Sequence, residues 1–208
     1  MAKERRRTDE SKPGCVIYSI GSDGDFQFEL GMQDIVGVGT CEIHIFDMGD
    51  YEKEMPSELK NAHYHQWGIK AQDPLAEYPP KPGQEFYGLK DTMILLGHET
   101  LESIDVFKID CEGCEWTSFS SWLDPNLPEL RQILVELHKP PASIATTFFD
   151  TLQAAGYVRF HKEVNTICPE AGAVEYSFLK LSTDFFPKEK LIIPTREAHD
   201  DETQSIDS

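Results

Sequence analysis

Five residues that can move protons gather in two short stretches of this sequence. "KIDCEGCEW" (108–116) carries Asp110, Glu112 and Glu115 around Gly113, and "VELHKPP" (135–141) carries Glu136 and His138. Two or three carboxylates in one cleft can act as a base, hold a hard cation, or face a cationic cofactor. Glu136 and His138 stand two apart, so they share one side of an extended segment. On adjacent strands they would face Asp110. Asp110, Glu112 and His138 are therefore the candidate catalytic residues, with Glu136 assisting.

Cys111 and Cys114 form a C-x-x-C within the same stretch. Zinc would require two further ligands at suitable spacing, and the sequence has no second such pair. A thioredoxin-like role needs the motif at a helix start after a first strand. No metal is assigned. The cysteines total five, an odd number at irregular spacing, which argues against a disulfide framework and for a reducing compartment. Cys15 and Cys41 each open an apolar run and are read as neighbouring buried free thiols. His63 and His65 repeat the H-x-H spacing and are read as structural.

A second group of residues suits ligand binding. "IGSDGDF" (20–26) places Gly21 and Gly24 between an apolar run and a helical pattern, where glycine lets the backbone approach a ligand closely. It is not the G-x-G-x-x-G of dinucleotide folds. Asp23 and Asp25 would repel a pyrophosphate but tolerate a cofactor bearing a cation, such as S-adenosylmethionine. Asp47 ends the next apolar run, one β-α-β unit downstream, where a carboxylate can accept from ribose hydroxyls.

These residues need a scaffold that brings four loops to one rim. "CVIYSI" (15–20) reads as a strand buried on both faces. Phe28, Met32, Ile35 and Val36 then mark one helical face. "CEIHIFD" (41–47), a segment within 61–71, "IDVFKID" (104–110) and "QILVEL" (132–137) follow as strands. Helices are expected over 89–97, around Trp116, Phe119 and Leu123, and at Ile144, Phe148 and Leu152 with Gly156 as the C′ residue. "YVRFHK" (157–162) and "AVEYSFLKL" (173–181) have no helix between them, so they should pair as a hairpin at one edge. The four prolines of residues 71–88 mark a surface insertion or lid that could contact a substrate. Alternating strands and helices imply an α/β fold, a mostly parallel sheet covered on both sides, with ligands at the carboxyl ends of the strands.

Composition narrows the function classes. Of 208 residues, 39% are hydrophobic and 11% aromatic, enough for a folded core. The net charge of -18 repels phosphate backbones, so nucleic acid is not an expected partner. No run of about 18 apolar residues occurs, so no transmembrane segment is expected, and the basic start lacks the apolar region of a signal peptide. A cytoplasmic location is expected, unless a longer precursor carries a targeting segment. Residues 1–13 read as a flexible basic leader, 14–183 as one domain, and 184–208 as an acidic, disordered tail.

"CVIYSIGSDGDFQFE", "CEIHIFD", "GIKA", "FKIDCEGCEW", "ILVELH", "GYVRFHKEVN" and "VEYSFL" together resemble the methyltransferase-like protein 24 group. That group belongs with FkbM-related class I methyltransferases, and the similarity runs from about Cys15 to Leu181. It implies a three-layer Rossmann-like fold, with a seven-stranded sheet whose final strand is reversed. It also implies S-adenosylmethionine as methyl donor. Gly21, Ser22 and Gly24, with Asp23 beside them, would line its methionine end, Asp47 its ribose, and Asp110 the reacting methyl. Such relatives often methylate oxygen. Phe26 stands near the place of the family's third glycine, and Tyr18 and Ser19 occupy a region that normally holds an acid. About 14 residues precede the first strand, fewer than the helical cover such domains usually carry. These departures favour an alternative, a non-catalytic binding or scaffold module; a third reading of the residues is a metal-dependent hydrolase using Asp110, Glu136 and His138.

Overall fold

The computed structural model describes residues 14–75, 83, 85–139, 142–166 and 172–185. The leader 1–13, nearly all of the tail 184–208, Cys168, and part of the 71–88 lid lie outside those residues.

The chain runs β1 (Val16–Ile20), α1 (Gln27–Val36), β2 (Glu42–Phe46), β3 (Ala62–His65), β4 (Gly68–Lys70), β5 (Phe86–Gly88), α2 (Leu89–Leu96), β6 (Ser103–Ile104), β7 (Val106–Ile109), α3 (Glu115–Ser118), β8 (Glu129–Leu130), β9 (Gln132–His138), α4 (Ala142–Ala154), β10 (Tyr157–Val164) and β11 (Ala173–Lys180). Seven strands form the main sheet in the order β10-β11-β9-β7-β1-β2-β3. β1, β2, β3, β7 and β9 are mutually parallel, and β11 is antiparallel to both β9 and β10. The expected hairpin therefore exists, but its reversed strand is not at the edge. β11 inserts between β9 and β10, and β10 becomes the edge.

β1 is buried along its whole length, as its apolar β-branched sequence requires. Its side chains alternate between two cores. Val16, Tyr18 and Ile20 face a large cluster that includes Met93 of α2, Trp116 of α3, and Phe148 and Leu152 of α4. Ile17 faces a smaller cluster with Ile43, Ile45 and Leu59, against which Phe28, Met32 and Val36 of α1 pack. The result is three layers.

Several elements differ from expectation for identifiable reasons. In α1, Ile35 is 80% exposed, while Glu29 and Gln33 are buried. The helix turns a polar pair inward because Gln33 accepts from the Lys60 amide (2.7 Å) and donates to the Glu58 carbonyl (3.0 Å), fastening the next loop. The 61–71 strand splits: β3 stays in the main sheet, and β4 leaves to pair with β5, the last residues of the proline-rich segment. The 104–110 strand breaks at Asp105, whose carboxylate takes the Val16 amide and Arg131 Nη1, each at 2.9 Å.

The free-thiol reading is also overturned. Cys15 and Cys41 lie side by side at the starts of β1 and β2 and are disulfide-bonded, and Cys111 is bonded to Cys114. Parallel pairing of β1 with β2 puts the first pair in register (Cα–Cα 4.5 Å). Cysteine usage therefore no longer points to a reducing compartment. Among the described residues no helix is long and apolar enough to cross a membrane.

Candidate functional site

The strand order reverses between β1 and β7, and the loops beyond their carboxyl ends enclose a cavity of about 330 Å³. That is the place where open parallel sheets take ligands. Its walls include Ile20, Phe46, Met48, Ile69 and Phe86, and its polar groups include Asp23, Asp47, Asp110 and Glu112. Among the described residues, four carboxylates and no basic side chain line it.

The glycine turn is built by backbone demands. Gly21 has φ +81°, and a Cβ there would meet the Asp110 carbonyl oxygen at 1.7 Å. Only glycine lets the loops after β1 and β7 touch. The Gly21 amide continues the β2 ladder by donating to the Phe46 carbonyl (2.9 Å). Asp47 clamps the turn: Oδ2 accepts from the Ser22 and Asp23 amides (2.9 and 2.8 Å), and Oδ1 accepts from the Gly49 amide (2.8 Å). Asp47 thus spends three of its lone-pair sites on backbone, leaving Oδ1 room for about one further donor. Asp23, in the left-handed region at φ 46°, accepts from the Tyr51 hydroxyl (2.9 Å).

The other half of the rim centres on His138. Its backbone amide (2.8 Å) and Nδ1 (3.1 Å) both donate to Glu115 Oε1, whose Oε2 accepts from the Gly113 amide (2.9 Å). Glu115 is fully buried, and Trp116 Nε1 donates to the His138 carbonyl (2.7 Å). This contact assigns a proton to Nδ1 and turns Nε2 toward the cavity rim. Nε2 lies 3.7 Å from Asp110 Oδ1, 3.5 Å from Glu112 Oε2 and 4.0 Å from Glu136 Oε1. Burial pushes the Asp110 carboxyl up to about 6. Lys108 opposes that shift, and Glu136 reinforces it.

The structure thus brings Gly21, Asp23, Asp47, Asp110 and Glu112 to one cavity, with His138 and Glu136 behind its rim. Ser22 turns inward and is buried, and Gly24 packs against Tyr51, so neither lines the cavity wall. The disulfide removes Cys111 and Cys114 as metal ligands. One positioning group has no counterpart among the sequence candidates: Lys108 Nζ donates to the Gly21 carbonyl (2.6 Å), tying β7 to the turn. Glu115, one of the carboxylates of the same stretch, orients His138. Lys108 carried no signal beyond its place in an apolar strand, an unusual setting for a lysine.

A Rossmann-like sheet with one reversed strand, and an acidic, apolar-walled cavity at its switch point, is the arrangement of class I methyltransferase folds. The chain belongs to the Methyltransf_22 family, whose description is "Methyltransferase domain" and which matches residues 3–180. No curated protein matches the sequence. The fibrillarin pre-rRNA processing protein of Methanococcus jannaschii shares the fold, with TM-score 0.50 and 11% identity over 81% of this chain and 67% of that one. An rRNA methylase from Streptococcus thermophilus aligns with TM-score 0.47 and 9% identity, over 82% of this chain and 89% of that one.

Proposed function

We propose that the chain transfers a methyl group from S-adenosylmethionine to an acceptor oxygen, the atom that FkbM-type relatives often methylate. The observation that carries this reading is the cavity's chemistry. Carboxylates, with no basic side chain among the described lining residues, disfavour a phosphate-bearing cofactor and suit a ligand with a sulfonium and an amine, while Phe46, Ile69 and Phe86 offer apolar wall to a base. Asp47 Oδ1 and Asp23 are the groups for the ribose and amine. When bound, the cofactor supplies an electrophilic methyl carbon.

The chain's own residues handle the acceptor. Displacement at carbon demands alignment above all, and an oxygen acceptor also demands a base. Asp110, with its pKa raised toward neutrality, takes the acceptor's proton. His138 Nε2 is the next station, and Glu112, 84% exposed, opens the path to water. Glu115 is a positioning residue for His138. The charge of -18 favours an acceptor other than nucleic acid.

One observation favours a second reading, a binding module without turnover: most of Asp47's accepting capacity is already used by the turn. Calorimetry of the full chain with S-adenosylmethionine separates the two. The enzyme reading expects micromolar binding, weakened at least roughly 10-fold by Asp47→Ala, and S-adenosylhomocysteine formation lost in Asp110→Asn. Absence of binding overturns the enzyme reading and supports the scaffold module. Binding without turnover across candidate acceptors, with Asp110→Asn indistinguishable from wild type, overturns the catalytic one.

A further inference from the structure

A second cluster of chemistry-bearing side chains lies away from this cavity, at the outer parallel strands. His44 of β2 points into the large core beside Tyr18, beneath the turn that ends α2 at Gly97, and His98 follows that turn. Glu42 precedes His44 by two residues on the same face, and β3 sets His63 and His65 in register with His44 and Phe46. His44 stacks on both: the ring centroids of His44 and His63 are 5.1 Å apart, as are those of His44 and His65.

Four neutral-sized rings and a carboxylate in one place need a reason. His44 is 4% exposed, yet its Nε2 has no hydrogen-bond partner. Glu42 Oε1 is only 3.1 Å from that nitrogen without meeting hydrogen-bond geometry. Two ligand atoms aimed at a common point behave this way. About 3.4 Å separates neighbouring ligands in a tetrahedral shell with bonds near 2.1 Å. One ligand atom each from Glu42, His44 and His98 lies within 4.8 Å of the others, and the partly exposed Glu42 can close the remainder. His63 Nε2 stands 3.7 Å from the same Glu42 oxygen.

The outer contacts set the tautomers a metal site requires. His44 Nδ1 pairs with His65 Nε2 at 2.8 Å, and His98 Nδ1 with the Tyr18 hydroxyl at 2.9 Å. With Nδ1 donating in each pair, both Nε2 atoms turn lone pairs inward, the usual arrangement behind metal-bound histidines.

We infer that Glu42, His44 and His98 form a Zn²⁺ site, with the exposed His63 as fourth ligand. Imidazole and carboxylate donors suit zinc better than magnesium or calcium, which take oxygen shells. The ion would join β2, β3 and the end of α2, locking the outer edge of the sheet to the helix layer. The inference does not depend on methyl transfer.

The test uses the full, untagged chain freed of metal and titrated with Zn²⁺ by calorimetry, with Co²⁺ as a spectroscopic probe. Wild type should take one equivalent of Zn²⁺, gain thermal stability with it, and give the intense visible absorption of tetrahedral Co²⁺. Glu42→Gln, at a partly exposed position that tolerates the change, should weaken Zn²⁺ binding by roughly 100-fold or more, since losing a residue that only hydrogen-bonds to a metal ligand already costs roughly 10–100-fold. His98→Gln should do the same. Asp110→Asn/Glu112→Gln should retain the equivalent, which separates this site from the cavity. No binding by wild type, unchanged affinity in Glu42→Gln, or loss in the Asp110/Glu112 variant overturns the inference.

Discussion

Asp110→Asn isolates the cost of keeping an ionisable group at the cavity rim. Burial raises this carboxyl from 3.8 to about 6. Between those values the folded protein holds a proton that the unfolded chain has released, so stability falls as pH rises through the window. A raised carboxylate therefore destabilises the fold above about pH 6. Two units at 1.36 kcal/mol each give about 3 kcal/mol. The side chain is 31% exposed, and Lys108 stands nearby, which reduces the observable effect to roughly 1–2 kcal/mol. Asparagine has the same shape and no charge. At pH 8 the variant should melt about 2–8 °C above wild type. The gap should close near pH 4, where wild-type Asp110 is protonated, and S-adenosylmethionine turnover should be lost. Scanning calorimetry from pH 4 to 8 makes the measurement. A lower melting temperature at pH 8, or an equal gain at pH 4, refutes the reasoning.

Gly21→Ala should abolish folding or cost more than about 3 kcal/mol, because the new Cβ meets the Asp110 carbonyl at 1.7 Å with φ positive; denaturant titration measures it. Replacing Cys15 and Cys41 by serine opens a link across 26 positions and should cost about 3 kcal/mol in urea, with reductant reproducing the effect in wild type. Glu115→Ala leaves the Gly113 and His138 amides without their acceptor and should cost roughly 2–4 kcal/mol. It should also lower turnover more than S-adenosylmethionine affinity, since it frees the His138 ring. Phe148→Ala empties the centre of the large core and should cost about 3–5 kcal/mol by thermal melting.

The strands that carry the site were legible because Val16–Ile20 is the apolar, β-branched run that a strand buried on both faces requires, and Gln132–His138 carries apolar residues through its centre. The helix over Ala142–Ala154 was legible from Ile144, Phe148 and Leu152. Polar residues with long-range partners were not. Gln33 is buried by what Lys60 and Glu58 need, and Glu115 by what His138 needs, and neither demand is local. The hairpin of β10 and β11 was visible, but which strand would meet β9 was not, since both segments alternate similarly. The loops holding Gly21, Asp47 and Asp110 could be brought together from strand order alone. The gathering of His44, His63 and His98 could not, because it depends on where α2 ends.

The inward position of β11 has a consequence for how the chain is made. β10 leaves the ribosome before the strand that will attach it to the rest of the sheet, and its side chains beyond Tyr157 are exposed. Until residues 173–180 emerge, the flank of β9 is an open row of backbone donors and acceptors and β10 has no partner. Nascent chains whose emerged part ends between residues 165 and 172 should therefore be the most prone to chaperone capture, and emergence of β11 should release them.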